Sequence, residues 1–390
     1  MLQNDQRIQE LLAWGKDHTA CLNPKVEIYQ DSATGLSFRA VEDLPPGVTI
    51  ATCSYPISLS YLNTNPNARF SSWSKPFPKD FLKTLGRDDP NVIGFFFLMQ
   101  QFLLQEKSFW WPYIRLLPQP NTHDSLNIPA LWPEEDCHFL DGTNAEPPIK
   151  KRKEMWMSEW QNAISLLRDT FPDWQDYSHD LYKWAATIFG SRSFRASLVL
   201  VDGLLEDDLQ AQDHVKRDRF SVLLPILDIG NHNGINSVRW IPNKDSGLSF
   251  TNQVLIAKGH QIFNFYGNKS NSELLIAYGF MLPKASDDEW NTDSVNLKLK
   301  PTPQALQLRT LQTCSSVPNN PEEEFMFRIQ KQNDHNGLLE LSHFPHDLIE
   351  LILCMVANQR EARTFLSLSR SQSHCAGRDP DLYTSPLYSM

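Results

Sequence analysis

The stretch KGHQIFNFYGNKSNSELLIAYGFML, residues 258 to 282, changes from a strand pattern to a helical one within a few positions. Ser270 and Glu273 have the spacing of a capping box, which predicts a helix through the apolar residues that follow. Tyr266 and Tyr278 lie twelve positions apart, on a predicted strand end and on that helix. Alone, such a tyrosine pair is more typical of a hydrophobic core than of a binding site.

A second polar stretch, PILDIGNHNGINSVRW, covers residues 225 to 240. Asp228, Asn231 and His232 follow a buried-strand pattern, at a point where polar groups can converge on a ligand. A capped turn with a structural histidine explains the same residues, because Asn and His are common in turns.

Outward from these stretches, strand and helix patterns alternate along the chain. Alternating apolar residues predict strands over 25 to 62, and Asp89-Pro90 begins a predicted helical region that continues to about 195. Residues 236 to 266 return to strands, predicted as a small antiparallel meander, after a charged segment, 201 to 219, predicted as a solvated loop. The C-terminal part is predicted to be helical.

This order predicts an α+β protein in which one β-rich domain is interrupted by helices and followed by a helical C-terminal domain. The predicted divisions are an N-terminal helix (1–24), a first β-rich half (25–85), a helical insertion (86–190), a second β-rich half (191–282), a helical C-terminal domain (283–368) that includes a helix from about His346 to Leu366, and a disordered tail (369–390).

Composition excludes several classes of protein. The 390 residues include 36 Lys+Arg and 46 Asp+Glu, and this net charge of −10 argues against nucleic acid as a direct partner. No apolar run approaches the roughly 18 residues of a membrane span. The six cysteines are scattered without a CxxC pair, which predicts free thiols, no metal site and a cytoplasmic or nuclear location. None of these patterns indicates an oligomeric state.

Five strings, in this order, resemble the SET-domain protein methyltransferases, and in particular the subgroup typified by the Rubisco large-subunit lysine methyltransferase. The resemblance covers roughly residues 10 to 282. The strings are SATGLSFRA (32–40), SFWWPYIRLLP (108–118), SRSF (191–194), NH (231–232) and YG-x3-N-x6-YGF (266–280).

The resemblance implies a β-rich SET fold in which the NH segment and the Tyr266 segment cross as a pseudoknot, with a helical insertion between the SET halves. It implies S-adenosylmethionine (AdoMet) in one cleft and a substrate side chain entering from the opposite face. Carried over residue by residue, Tyr266 and Tyr278 are the catalytic residues of the methyl-transfer channel. The residues implied for the cofactor are Gly35, Leu36, Arg192 (for its carboxylate), Asp228 (shaping the loop), Asn231, His232 and Phe280.

Two positions depart from the family pattern. The opening loop often reads G-x-G but here is Gly35-Leu36-Ser37, so a side chain stands where the backbone would approach the cofactor. The turn before the Tyr266 strand often reads GEQ but here is Gly259-His260-Gln261. The zinc-binding cysteines that follow the SET domain in histone-directed members are missing after Phe280, which favours a non-histone protein substrate.

The chemistry implied for such a site needs a neutral lysine amine, whose ordinary pKa is about 10.4. Desolvation in an aromatic channel and a neighbouring sulfonium both favour the neutral amine, so no strong base or metal is required. We therefore predict an AdoMet-dependent protein-lysine N-methyltransferase acting on a non-histone protein, possible targets including ribosomal proteins. A protein-histidine methyltransferase on the same fold and a non-catalytic SET module that binds a protein partner remain alternatives.

Overall fold

The structure is a computed structural model of the chain, which divides into two compact units, Met1–Lys284 and Ala285–Met390. It describes residues 5–64, 76–120, 126–200, 205, 208–235, 237–244, 247–282, 294–300, 302, 303, 305, 325–330, 344, 346–357, 360 and 361.

The first unit mixes short strands and helices. Its helices are α1 (Gln6–Asp17), α2 (Lys79–Asp88), α3 (Pro90–Leu104), α4 (Trp111–Ile114), α5 (Glu146–Leu167), α6 (His179–Arg192), α7 (Ala196–Val199), α8 (Leu209–Lys216) and α9 (Asn271–Tyr278). Its strands are β1 (Cys21–Leu22), β2 (Val26–Asp31), β3 (Gly35–Ala40), β4 (Thr49–Cys53), β5 (Phe194–Arg195), β6 (Ser221–Val222), β7 (Val238–Asn243), β8 (Gly247–Asn252) and β9 (Gln261–Ile262). The predicted α+β class, with helices between two β-rich parts, is confirmed.

Strands from before and after the helical insertion share sheets. One antiparallel sheet has the order β1-β4-β8-β7, and a second has the order β2-β3-β9. In the first, Cys53 of β4 pairs with Leu248 of β8, and in the second, Phe38 of β3 pairs with Ile262 of β9. The two β-rich halves therefore form one domain.

The predicted meander over 236 to 266 is wrong beyond its first hairpin. β7 and β8 form that hairpin, but β8 already has β4 on its other edge, so no third strand of a meander can pair with it. The chain turns at Gly259, whose φ of +84° favours glycine, and continues into β9 on the second sheet.

The segments that carry Asn231 and Tyr266 run side by side. His232 and Asn264 form an isolated parallel bridge. The N–H of Asn264 donates to the carbonyl of Asn231 at 2.7 Å, and the N–H of Asn233 donates to the carbonyl of Asn264 at 3.0 Å. These bonds satisfy buried backbone groups outside any regular sheet and fix the crossing that the resemblance implies.

The helical insertion packs around α3, which begins as predicted. The Asp89 side chain accepts the N–H of Asn91, and Pro90 occupies the first helical position. α3 is apolar on all sides and packs against α2 and α6, the latter capped by Ser178. Most residues of α3 are buried, and they belong to the same hydrophobic core as the strands of the first unit.

The predicted solvated loop over 201 to 219 is wrong over its second half, which forms α8. The Asp208 side chain accepts the N–H of Ala211 at 2.9 Å, which caps the helix. His214 Nε2 lies 2.8 Å from the carbonyl of Gly86, and both Ala211 and His214 are buried. Burial of the helix face that carries Ala211 and His214 stabilises α8 although the segment is highly charged.

Helix α9 positions Tyr278 and has defined ends. Ser270 and Glu273 form the predicted capping box. The helix ends at Gly279, with φ of +78°, where a Cβ would lie 2.7 Å from the carbonyl carbon and oxygen of Asn127. Only glycine fits that ending without displacing the backbone around Asn127.

The second unit contains a strand pair that the sequence analysis missed. β10 (Ser294–Leu299) pairs antiparallel with β11 (Phe325–Gln330), and α10 (His346–Val356) buries Leu348 and Leu351. Within the predicted helix to Leu366, the structure is helical over His346–Val356 and again at Arg360 and Glu361, whereas residues 362–366 and the predicted disordered tail, 369–390, lie outside the described residues. Alternating Val295, Leu297 and Leu299 are the signal that would have predicted β10.

Candidate active site

Tyr266 and Tyr278 form a stacked pair. Their ring centroids are 4.8 Å apart, with the planes inclined by 29°. The Tyr266 hydroxyl donates to the carbonyl of Gly230 at 2.9 Å. Burial raises the pKa of both tyrosines, so both hydroxyls stay protonated at neutral pH. Because the Tyr266 proton is engaged by Gly230, the oxygen lone pairs remain as acceptors.

His232 supports Tyr266 from the crossing segment. Its Nδ1 accepts the backbone N–H of Tyr266 at 3.1 Å, and the two rings stack at 5.1 Å with 18° between their planes. Burial, and to a smaller extent Lys269, lowers the pKa of His232 to about 4. The imidazole is therefore neutral at pH 7, with its proton on Nε2 because Nδ1 is an acceptor.

A buried carboxylate lies beside the tyrosines. Asp228 Oδ2 accepts the Tyr113 hydroxyl at 2.8 Å and lies 3.6 Å from Arg192 Nη1, which also donates to the Asp228 carbonyl at 3.2 Å. Burial raises the pKa of Asp228, although Arg192 and Tyr113 oppose the shift. Its Oδ1 is buried and has no hydrogen-bond partner among the described residues. An acceptor of this kind is suited to an incoming donor.

Asn231 is tied to strand β3. Its Nδ2 donates to the carbonyl of Leu36 at 3.1 Å and to Ser37 Oγ at 2.6 Å. Gly35, with φ of +76°, begins the strand, and Asp31 Oδ1 accepts the N–H groups of Ala33 and Thr34 in the turn before it. The opening loop and the NH segment are thereby joined.

Two cavities meet at the tyrosine pair. The larger has a volume of about 530 Å³ and the smaller about 190 Å³. Five residues line both cavities: Ser191, Arg192, Asp228, Tyr266 and Tyr278. Thr34, Asn231 and Phe280 line only the smaller cavity, whereas Phe194, Arg195, Trp240, Phe265 and Lys269 line only the larger. Two ligands can thus approach the tyrosines from different sides.

The structure brings most of the sequence-predicted residues together. Arg192, Asp228, Asn231, Tyr266, Tyr278 and Phe280 all line the smaller cavity. His232 lies behind Tyr266, and Gly35 and Leu36 do not line either cavity, although their neighbour Thr34 does. No group of three or more His, Cys, Asp or Glu side chains among the described residues could hold a metal ion.

Sequence reasoning missed Tyr113 and Ser37. Tyr113 lies 115 positions before Asp228, and no local pattern links the two residues. Ser37 was noted only as a departure from a family pattern, yet it is fully buried.

Structural comparison shows that the first unit's strands, helices and parallel crossing belong to a SET-domain fold. The SET domain of LSMT bound to lysine and AdoHcy matches with a TM-score of 0.62 at 17% identity, over 95% of this chain and 75% of that one. No protein-family model matches the chain.

Several curated relatives are named lysine methyltransferases. The chain is 28% identical over 305 residues to ribosomal lysine N-methyltransferase set10 of Schizosaccharomyces pombe, covering 75% of this chain and 49% of set10. It is 27% identical over 197 residues to human N-lysine methyltransferase SETD6, covering 48% of this chain and 37% of SETD6. The matched part of the chain therefore spans about half the length of set10 and 37% of the length of SETD6. The resemblance to SET-domain lysine methyltransferases is confirmed.

The residues of the smaller cavity fit AdoMet. The guanidinium of Arg192 suits a carboxylate, the Phe280 ring suits adenine, and the unpartnered Asp228 Oδ1 suits a cationic or N–H group. The cavity also ends at the tyrosine pair, where a methyl group would have to be presented.

Proposed function

We propose that this chain is an AdoMet-dependent protein-lysine N-methyltransferase that acts on a non-histone protein. The observation that carries the proposal is the meeting of two cavities at Tyr266 and Tyr278. A ribosomal protein is the first substrate class to test, because set10 is named a ribosomal lysine methyltransferase.

In this proposal the smaller cavity binds AdoMet, and the larger admits the substrate lysine. AdoMet supplies a methyl group on a positively charged sulfur. Arg192 contacts Asp228 through Nη1, and its other N–H groups bind the cofactor carboxylate. Phe280 packs on the adenine, and Asn231 contacts the amino-acid end.

The larger cavity favours a neutral amine. Trp240, Phe265 and Tyr266 supply aromatic walls that desolvate the lysine, and Arg195 and Lys269 add positive charge near it. Both effects lower the pKa of an amine. No side chain is then required to remove the proton in the transfer step itself.

Tyr266 aligns the reacting atoms. Its hydroxyl proton is held by the Gly230 carbonyl, so its lone pairs accept a hydrogen bond from the amine or contact the polarised methyl hydrogens. Stacking on His232 and Tyr278 keeps the ring in place. Alignment of two bound reactants contributes about 7 to 11 kcal/mol in favourable cases.

We propose a cytoplasmic or nuclear location. Cys21, Cys53 and Cys137 form no disulfide, which suits a reducing compartment. Among the described residues, no helix is both long and apolar enough to cross a membrane.

Tyr266→Phe tests the proposed function. We expect AdoMet affinity, measured by isothermal titration, to stay within about threefold, because the ring is retained. Methyl transfer from radiolabelled AdoMet to cell-extract proteins should fall by roughly 100-fold or more, because the aligning oxygen is lost. Amino-acid analysis of the product then distinguishes methyl-lysine from methyl-histidine.

Tyr55→Phe is the matched control. The Tyr55 hydroxyl is buried and donates to a backbone carbonyl, that of Val199, at 2.8 Å, but Tyr55 lines neither cavity. Its loss should leave turnover unchanged at temperatures where the protein is folded. Full turnover in Tyr266→Phe would contradict the assignment of the channel.

A further inference from the structure

Ser37 is buried and lies at the centre of a hydrogen-bond cluster whose other members are partly or largely exposed. Its side chain is 0% exposed. Its Oγ is 2.6 Å from Asn231 Nδ2, 3.1 Å from Gln261 Nε2, and 3.0 Å from both Thr34 Oγ1 and the Gly35 carbonyl. We call Thr34, Ser37, Asn231 and Gln261 the Ser37 cluster.

The cluster fixes the orientation of the Asn231 amide. The carbonyl of Leu36 can only accept, so the group facing it must be the Asn231 nitrogen. The second amide hydrogen then points to Ser37 Oγ, which accepts it and donates its own proton to the Gly35 carbonyl or Thr34. Both N–H groups of Asn231 are thus engaged by β3, and Oδ1 remains to meet a ligand in the smaller cavity.

The cluster also joins three separate segments. Thr34 and Asn231 line the smaller cavity on different segments of the chain, and Ser37 bonds to both. Gln261 of β9 bonds to Thr34 Oγ1 at 3.0 Å as well as to Ser37. Ser37 accepts two side-chain N–H groups, which is the capacity of one hydroxyl.

We infer that Ser37 is a positioning residue that sets AdoMet affinity by orienting Asn231 and holding Thr34 at the cavity wall. This inference rests on the proposed function. Ser37 therefore contributes to AdoMet binding at this site, although the family pattern often has glycine at this position. Glycine at this position would leave the two amide N–H groups without their acceptor.

Ser37→Ala and Ser37→Gly test the inference. We expect the dissociation constant for AdoMet, measured by isothermal titration, to rise by about tenfold in both variants, the usual scale for losing one buried hydrogen-bond acceptor. The KM for AdoMet should rise in parallel, while kcat changes much less, because the tyrosine channel is untouched.

Ser58→Ala is the matched control. Ser58 is also 0% exposed, and its hydroxyl donates to the Tyr55 carbonyl at 2.7 Å. Its substitution should lower the melting temperature of the ligand-free protein without changing AdoMet affinity. A general effect of losing a buried hydroxyl is thereby separated from an effect on the site.

A double substitution tests the route through Asn231. We expect Ser37→Ala to add little to the loss of affinity in Asn231→Ala, because both remove the same oriented amide. Full additivity, unchanged affinity in Ser37→Ala, or tighter binding in Ser37→Gly would overturn the inference. If the unsubstituted protein does not bind AdoMet, the proposed function itself fails.

Discussion

His232 is a neutral support for Tyr266, and its environment makes it sensitive to acid. Burial and Lys269 lower its pKa from 6.5 to about 4. In the unfolded chain the group titrates near its ordinary value, so between about pH 6.5 and 4 the unfolded state binds the extra proton. His232 therefore contributes stability above this window, and that contribution is lost as the pH falls through it.

His232→Asn isolates this effect. An Asn oxygen can replace Nδ1 as acceptor for the N–H of Tyr266, but it does not titrate. We expect the free energy of unfolding, measured in urea, to fall less between about pH 7 and pH 5 in the variant than in the unsubstituted protein. The carboxyl groups are common to both proteins and cancel in the difference. Equal losses would show that His232 is not the acid-sensitive group.

At the residue scale, sequence reasoning predicted which residues belong to the site better than it predicted which residues they contact. Tyr266, Tyr278 and Asn231 were named from short strings, and the structure places them around one cavity. Ser37 could not be assigned its partners, because simple alternation predicts that neighbours on a strand face opposite sides, whereas both Ser37 and Phe38 are buried. Tyr113 reaches Asp228 only through tertiary packing.

At the element scale, the ending of α9 controls where Tyr278 lies. Gly279→Ala places a Cβ 2.7 Å from the Asn127 backbone in addition to the cost of its φ of +78°. We expect a loss of unfolding free energy well above the roughly 1 kcal/mol that φ alone costs, together with reduced methyl transfer.

Gly142→Ala provides the comparison, because Gly142 has a φ of +71° but no atom within 4 Å of the added Cβ. That variant should show only the backbone cost, measured by urea unfolding, with methyl transfer unchanged. Similar losses in the two variants would mean that the contact with Asn127 is accommodated by movement.

The sequence predicted helix starts correctly where a capping residue marks the end of the helix. Asp89 and the Ser270–Glu273 capping box were predicted correctly, because a helix cap acts within one turn. The pairing partners of the strands were not predicted correctly. Strand β9 is too short for its sequence to show which sheet edge it joins, and both edges of β8 are already paired, with β4 and β7. Helix α8 was hidden by its charge, because only a narrow face is buried.

At the scale of the whole molecule, the smaller cavity is assembled from distant parts of the first unit. Its lining extends from Thr34 to Phe280 and includes the helical insertion through Pro118 and Thr187. A ligand that contacts all these parts stabilises the unit as a whole rather than one loop. The α+β order of the chain could be predicted from the sequence. No single stretch of sequence, however, predicts that these distant residues line one cavity.

AdoMet should therefore raise the melting temperature of the protein in proportion to the logarithm of its concentration. At 100 times the dissociation constant the expected stabilisation is about 2.7 kcal/mol. Scanning calorimetry with increasing AdoMet measures it, and Arg192→Ala should reduce the shift at each concentration. An unchanged melting temperature at millimolar AdoMet would contradict binding in this cavity.

The pairing of β3 with β9 also has a consequence during synthesis. Ribosomes add roughly 5 to 20 residues per second, so β3 is made roughly ten to forty seconds before β9 emerges. Its hairpin partner β2 covers one edge at once, but the other edge stays open while the whole insertion is translated. An open edge invites pairing with other chains. The growing polypeptide thus passes through a defined interval in which a chaperone that shields this edge would increase the yield of folded protein.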